Sequence, residues 1–89
     1  MRVWLRMVLI TGPPGEVAAL APAHRDHVRR LRADGKLRVA GELGDGDGFV
    51  EIFEARDRRE ADAVARASPL VEAGLGSLIL REWTDTARD

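Results

Sequence analysis

The chain of 89 residues contains no cysteine and no tyrosine, and its aromatic residues are two tryptophans and two phenylalanines. Without cysteine it has neither disulfides nor thiolate ligands, and two histidines without further clustered ligands do not make a zinc site. Nothing beyond His24 suggests an axial haem ligand, and no loop has the pattern of a phosphate cradle. We therefore expect no metal and no cofactor.

Long apolar runs are also missing. No stretch approaches the roughly 20 apolar residues that a membrane span needs. The N-terminal segment does not have the pattern of a secretory signal, because Arg6 interrupts its apolar run and no small-residue cleavage site follows. These absences predict a cytoplasmic protein that makes no contact with a membrane.

The net charge of −1 conceals an uneven distribution, since residues 1–40 sum to +5 and residues 41–89 sum to −6. Such asymmetry marks a nucleic-acid-binding face, a pocket for an anionic ligand, or two solvated faces of opposite sign. We favour the last. With a total charge near zero and no long run of lysine or arginine, the sequence predicts no binding to nucleic acid.

The length predicts one domain, residues 1–89, whose last residues, 84–89, form a frayed polar tail. A domain of this size buries only about 60–65% of the surface of its unfolded chain, so a lone monomer is marginally stable. Because disulfides and metals are excluded, oligomerisation is the remaining common way to enlarge the core.

Hydrophobic periodicity predicts four strands and two helices. The strands cover residues 2–10, 36–43, 49–55 and 77–83; one helix runs from Pro22 to Gly35, and the other from an Asp57–Glu60 capping box to about Ala67. The order β-α-β-β-α-β is that of the ferredoxin-like fold, an α+β class with a four-stranded antiparallel sheet and two helices on one face. In this fold the other face of the sheet carries no helix.

Alternation along the strands divides their residues between the two faces. We expect the helix-facing set to be Val3, Leu5, Met7, Leu9, Val39, Val50, Ile52, Leu78 and Leu80, and the helix-free set to be Trp4, Val8, Ala40, Phe49, Phe53, Ile79 and Trp83. The helix-free set then holds all four aromatic residues, a patch larger than a soluble monomer normally exposes. This predicts a homodimer formed through the helix-free sheet face.

Charged residues interleave with that aromatic set, namely Arg6, Arg38, Arg81 and Glu51. Two interpretations are open. The three arginines could bind an anionic ligand inside the dimer, or they could pair with Glu51 and its symmetry mate. We favour the second interpretation.

His24 and Ser68 are the candidate site residues. His24 shares a predicted helix face with Leu20, Val28 and Leu31, where a lone histidine is more often a buried structural residue than a catalyst. His27, one step further around the helix, is expected at the surface. Ser68 either contributes a polar contact to a pocket or caps the chain before Pro69.

Several spacings extend along nearly the whole chain. They are His24-x3-Val28-x2-Leu31-x3-Gly35, Leu37-Arg-Val-Ala40-Gly41, Gly48, Ala61, Pro69-Leu-Val71-Glu-Ala73-Gly74-Leu75 and a strand closing on Trp83. This pattern resembles the YCII-related (YciI-like) family of the dimeric α+β barrel superfamily. The resemblance implies a small cytoplasmic homodimer with a pocket near His24, and a small organic substrate.

The resemblance also implies a site in which the histidine pairs with the aspartate of an Asp-Pro sequence, an arrangement suited to proton transfer. Some relatives resemble lyases or isomerases that act on small cyclic compounds. Here Ser68 occupies the aspartate position and Glu42 replaces a family proline. Losing the carboxylate that orients a catalytic histidine costs on the order of 10⁴ in rate in the best-studied triad. Glu72 or Glu42 could supply a substitute.

Two functions follow. The first is a small-molecule enzyme of lyase or isomerase type in which His24 moves a proton, and Ser68 orients it in a weakened dyad. The alternative is a non-catalytic member of the same fold that binds a metabolite or a partner protein. Converting Ser68 to aspartate discriminates between them, because restored turnover indicates a weakened enzyme.

Overall fold

A computed structural model describes residues 1–87. The elements are β1 (Arg2–Ile10), α1 (Pro14–Ala33), β2 (Leu37–Glu42), β3 (Gly48–Ala55), α2 (Arg58–Arg66), α3 (Pro69–Glu72) and β4 (Gly76–Glu82). The four strands form one antiparallel sheet in the order β2-β3-β1-β4. The predicted ferredoxin-like α+β fold is confirmed. Residues 88–89 of the predicted frayed tail lie outside the described residues.

The first helix is longer than expected, because it begins at Pro14 and not at Pro22. Pro13 is extended, with φ −62° and ψ 141°, and Pro14 stands at the first helical position, where its missing N–H costs nothing. Pro22 lies inside α1. The helix ends at Ala33 with Asp34 as its C-cap, and Gly35 follows with φ +73°, a conformation that glycine adopts without steric cost.

The second helix has the predicted cap. The Asp57 carboxylate accepts a hydrogen bond of 2.9 Å from the Glu60 amide, while the Glu60 carboxylate accepts one of 3.2 Å from the Arg56 amide. Ala61 and Ala65 are fully buried, so α2 lies close to the sheet, as its alanine content predicts. Pro69 restarts the chain as the single turn α3.

The division of strand residues into two sets was right for β1, β2 and β3, but their assignment to the faces was wrong. In β2, Val39 was expected beneath the helices and is instead 54% exposed on the helix-free face. Trp4, Val8, Phe49 and Phe53 are buried beneath the helices, with exposures from 0% to 7%. In β4 the assignment was correct, since Leu80 is buried and Ile79 is exposed. The larger side chains of β1 and β3 fill the space under the helices because aromatic rings bury the most apolar area.

The core beneath the helices consists of two apolar clusters. One contains Trp4, Phe53, Ala55, Ala61, Ala65 and Leu80; the other contains Val8, Phe49, Leu70 and Leu75. Between them in β1 and β3 stand Arg6 and Glu51, which are directly paired across the two strands. A charged row therefore crosses the middle of the apolar core.

The helix-free face is mainly aliphatic. Its exposed large side chains are Leu9, Val39, Ile79 and Trp83, and between them lie the half-buried Val3, Leu5, Met7, Val50 and Ile52. Trp83 is the single aromatic residue of this set. The predicted patch exists, but its composition differs from the expected one.

Candidate active site

The buried pair Arg6–Glu51 organises the site. Arg6 Nε donates to Glu51 Oε1 at 2.6 Å, and the two side chains are 0% and 2% exposed. Arg6 Nη1 also lies within hydrogen-bond distance of the carbonyl oxygens of Val64 and Ala65, at 3.3 and 3.1 Å, near the C-terminal end of α2. Burial lowers the pKa of Arg6 from its ordinary value, and Glu51 opposes that shift. The guanidinium remains charged because arginine does not deprotonate in proteins.

His24 connects this pair to α1. Its Nε2 lies 3.7 Å from Glu51 Oε2, within ion-pair range when the imidazole is protonated. Its ring packs on Phe49 with a centroid separation of 3.9 Å. Glu51 therefore places one carboxylate oxygen on Arg6 and the other beside His24.

Ser68 holds the opposite side of the His24 ring. His24 Nδ1 and Ser68 Oγ are 2.9 Å apart, and Ser68 is fully buried. Although Ser68 occupies the N-cap position of α3, its hydroxyl makes no capping hydrogen bond there. Of the two interpretations of Ser68, the structure supports the polar contact. A hydroxyl can donate to Nδ1 or accept from it, so Ser68 is compatible with both tautomers of His24.

His27 is buried, and the expectation that it lies at the surface was wrong. Its Nε2 is 2.9 Å from Arg6 Nη1, and since the guanidinium can only donate, His27 accepts with a neutral ring. Burial first, and then the charge of Arg6, lower the pKa of His27 to about 4. His27 is therefore part of the support for Arg6.

A cavity of about 350 Å³ lies between α1 and the end of the sheet formed by β2 and β3. Its lining comprises Ile10, Val17, Ala21, His24, Arg25, Val28, Arg29, Arg32, Ala40, Gly41, Glu42, Gly46, Gly48, Phe49, Glu51 and Leu70. His24 and Glu51 thus lie in the wall of a space large enough for a small organic molecule. Arginines line the α1 side.

The sequence identified two members of this cluster, His24 and Ser68, and the structure brings them into contact. The sequence analysis missed Glu51 as the neighbouring carboxylate and assigned Arg6 to the wrong face of the sheet. The proposed substitutes differ in position, because Glu72 is exposed on α3 whereas Glu42 lines the cavity. One available signal was a charged residue in the middle of each of two largely apolar strands, since buried charges occur with partners.

Within residues 1–87, no group of three or more histidine, cysteine, aspartate or glutamate side chains is arranged to hold a metal ion. None of the helices in the same part of the chain is long and apolar enough to cross a bilayer.

The chain is similar in sequence to a known domain family and to a known protein. Residues 5–84 match the YCII-related domain. The uncharacterised protein YjpA of Bacillus subtilis (strain 168) is 33% identical over 60 residues, which are 67% of this chain and 71% of YjpA.

A solved structure has a similar fold, that of the 5-chloro-2-hydroxyhydroquinone dehydrochlorinase TftG from Burkholderia phenoliruptrix AC1100, in complex with 2,5-dihydroxybenzoquinone. The TM-score is 0.74 at 22% identity, covering 94% of this chain and 96% of TftG. The domain match spans nearly the whole chain and agrees with the spacings around His24 and Pro69. The chain belongs to the YCII-related family.

Proposed function

We propose that this protein is a small-molecule enzyme of lyase or isomerase type in which His24 transfers a proton. The observation that carries the proposal is the placement of His24. Ser68 holds Nδ1 at 2.9 Å, and Nε2 stands beside the Glu51 carboxylate in the wall of a cavity of about 350 Å³. A histidine held at one nitrogen with a carboxylate beside the other is suited to general acid–base catalysis.

His24 Nε2 and Glu51 Oε2 are 3.7 Å apart, so a substrate hydroxyl that donates its proton to Nε2 lies close to the carboxylate. Because an ionised carboxylate only accepts hydrogen bonds, the single hydroxyl proton goes to Nε2, and Glu51 acts on the positive charge that then develops on the imidazole. In the proposed step, Nδ1 carries a proton that it donates to Ser68, and Nε2 takes the substrate proton. In an elimination, the electron pair left on the substrate expels the leaving group into the solvent. In an isomerisation, it moves a double bond, and the imidazolium returns the proton to another atom of the substrate. Glu51 attracts the imidazolium in both cases.

The fold neighbour supports this reaction class. TftG is a dehydrochlorinase and, as its name says, removes hydrogen chloride from a chlorinated hydroxyhydroquinone. Such an elimination removes a proton and a leaving group from a small ring, which is the chemistry that His24 and the cavity could serve here. The apolar lining suits a ring of that kind.

The test compares the two histidines of the site. Chloride release, double-bond migration and ring opening would be measured over a panel of chlorinated hydroquinones and unsaturated lactones. We expect His24→Gln to lose about 10²–10⁴-fold in turnover, the usual contribution of a general acid or base. His27→Gln, which keeps an acceptor for Arg6, should retain turnover because His27 does not line the cavity.

Ser68→Asp separates this enzyme from a non-catalytic metabolite- or protein-binding member. The neutral hydroxyl of Ser68 favours that alternative, because it cannot stabilise an imidazolium by charge. Higher turnover in Ser68→Asp supports the enzyme. In the opposite outcome all three proteins, wild type, Ser68→Asp and His24→Gln, are inactive over the panel while a ligand still binds the cavity. That result would replace the proposed enzyme by the non-catalytic function.

We also propose that the protein is a homodimer assembled through the helix-free face, with the sheets of two copies packed together. The support is the aliphatic surface on that face, where Val39 is 54% and Trp83 is 42% exposed. A contiguous apolar patch of this kind is typical of a protein interface. Light scattering at micromolar concentration tests the proposal, and a monomeric mass would refute it.

A further inference from the structure

We infer that the natural ligand of the cavity is a small ring compound that carries a carboxylate, bound with the carboxylate toward Arg25 and Arg32 and the ring toward Phe49. This inference names the substrate class and rests on the proposed function for its reacting end. The two kinds of group that would recognise such a ligand lie on different walls of the cavity. Arginines form one wall, and apolar side chains form another.

The charged wall belongs to α1. Arg25, Arg29 and Arg32 all line the cavity, and their spacing of four and three residues places them on one helix face over about 10 Å. Among residues 1–87, Arg29 pairs with Asp26 at 3.0 Å, whereas Arg25 and Arg32 form no ion pair. Two guanidinium groups are therefore available to a ligand.

The acidic residues of the wall do not cancel this charge. Glu51 is bound to Arg6 at 2.6 Å, which leaves Glu42 as the opposing carboxylate of the lining. The Arg29–Asp26 pair has exposures of 72% and 63%, so it is weak and Arg29 can turn to a ligand. An anion entering from the α1 side thus meets a net positive rim.

The remaining lining selects a ring. Apolar side chains from four elements lie on the cavity wall, namely Ile10, Val17, Phe49 and Leu70. A volume of about 350 Å³ is near the lower end of the range for ligand pockets, about 300–1,000 Å³, and suits one ring with its substituents. Arginine forms two parallel hydrogen bonds to a planar carboxylate, which matches the available guanidinium groups.

The probes are 4-hydroxybenzoate and 4-hydroxybenzamide, which have nearly the same shape and differ in charge. Their dissociation constants would be measured by amide chemical-shift titration on the full chain, with no need for turnover. We expect the acid to bind about fivefold or more tightly than the amide, from one or two exposed ion pairs of up to about 1 kcal/mol each. Added salt should reduce this preference.

The variant Arg25→Gln/Arg32→Gln should lose the preference while binding the amide as wild type does. Arg58→Gln/Arg59→Gln removes two positive charges from α2, away from the cavity. This variant should still bind the acid more tightly than the amide. Equal binding of the two probes, binding of neither at millimolar concentration, or a preference that survives in Arg25→Gln/Arg32→Gln would overturn the inference. 4-Hydroxyphenyl phosphate is the third probe; stronger binding than the acid would overturn the assignment to a carboxylate.

His24→Gln separates this inference from the proposed function. Its side chain lies at the reacting end, so the acid-over-amide preference should persist in this variant even though turnover is lost. If the preference is present and His24→Gln changes no activity of any compound, the proposed enzyme fails while the ligand class stands. If His24→Gln abolishes turnover of neutral and acidic compounds that react equally well, the ligand class fails and the enzyme stands.

Discussion

The two faces of the sheet differ in where buried charge and exposed apolar surface lie. The face covered by helices contains a buried charged row, Arg6 and Glu51, with His24 and His27 above it. The uncovered face is aliphatic, and Val39 and Ile79 on it are exposed. The polar groups are thus enclosed where a site is built, and the apolar groups are left where a second copy can cover them.

The buried face holds charge because nearly every polar group there has a partner. Burying an ion costs several kcal/mol unless a counter-ion and hydrogen bonds compensate. Arg6 finds Glu51, His27 and two carbonyl oxygens; within residues 1–87, Arg6 Nη2 is the buried side-chain polar atom without a partner. Such an arrangement favours a single geometry around His24, since any displacement leaves an ion unpaired.

The largest effect should come from removing one half of the buried pair. Glu51→Ala leaves the Arg6 guanidinium buried without its counter-ion, and we expect the free energy of unfolding to fall by about 3–5 kcal/mol. Urea denaturation followed by circular dichroism measures it. A loss below about 1 kcal/mol would show that the charged row contributes little to the fold.

The matched control is Arg6→Met/Glu51→Leu, which removes both charges and keeps apolar volume. We expect it to recover much of the lost stability, because replacing a whole buried ion pair by apolar side chains is often neutral. It should not recover turnover, since Glu51 also stands beside His24. Recovery of both would mean that the carboxylate has no part in the site.

The next effect depends on pH and arises from His27. Its folded-state pKa of about 4 lies below its ordinary value of 6.5. The unfolded chain therefore binds a proton that the folded chain refuses between these values. Stability from this residue is fully present above pH 6.5 and is lost as the pH falls toward 4, by at most about 3 kcal/mol.

His27→Gln isolates that contribution, because glutamine still accepts from Arg6 but does not titrate. The difference in unfolding free energy between wild type and His27→Gln, measured by urea denaturation from pH 7 to pH 4, should change in favour of the variant as the pH falls. Parallel curves for the two proteins would contradict the assignment of His27 as a buried neutral acceptor.

On the uncovered face the corresponding change is Met7→Lys, at the centre of the sheet. A lysine there would place an unpaired charge in the proposed interface, and we expect the dimer dissociation constant to rise by about 100-fold, equivalent to ~2.7 kcal/mol. Sedimentation velocity over a concentration series measures it. Ala63→Lys on the exposed side of α2 is the control and should leave the mass unchanged.

Much of the fold was predictable from the sequence, because strand alternation, the capping residues and the order of elements are local signals. β1 and the Asp57 cap illustrate this. The face that the helices cover was not predictable, because Trp4 and Leu5 are both apolar. Only packing against Ala61 and Ala65 of α2 decides which of the two is covered. The start of α1 was missed because Pro14 and Pro22 are both acceptable first-turn residues when considered alone.

The site divides in the same way. His24 and Ser68 were identified by family spacing and lie in contact, although their roles in a reaction stay a prediction. Glu51 was not identified, because its value depends on cross-strand pairing with Arg6 and on the approach of α1, neither of which is a local property. Charge in a strand indicates function only after the sheet face has been assigned.

The smallest effect should come from a more exposed arginine–glutamate pair of the sheet, Arg38–Glu54, at 3.3 Å. Arg38 is 43% exposed, so water and salt already solvate its charge, and we expect Arg38→Ala to change the unfolding free energy by less than about 1 kcal/mol. Like the pair Arg6–Glu51, this pair joins an arginine to a glutamate of β3. The two pairs differ in how deeply they are buried. A loss in Arg38→Ala as large as that in Glu51→Ala, measured by the same urea denaturation, would mean that an interface covers Arg38, and weaker self-association of the variant would then confirm it. Unchanged self-association together with weaker binding of 4-hydroxybenzoate would instead assign Arg38 to ligand binding.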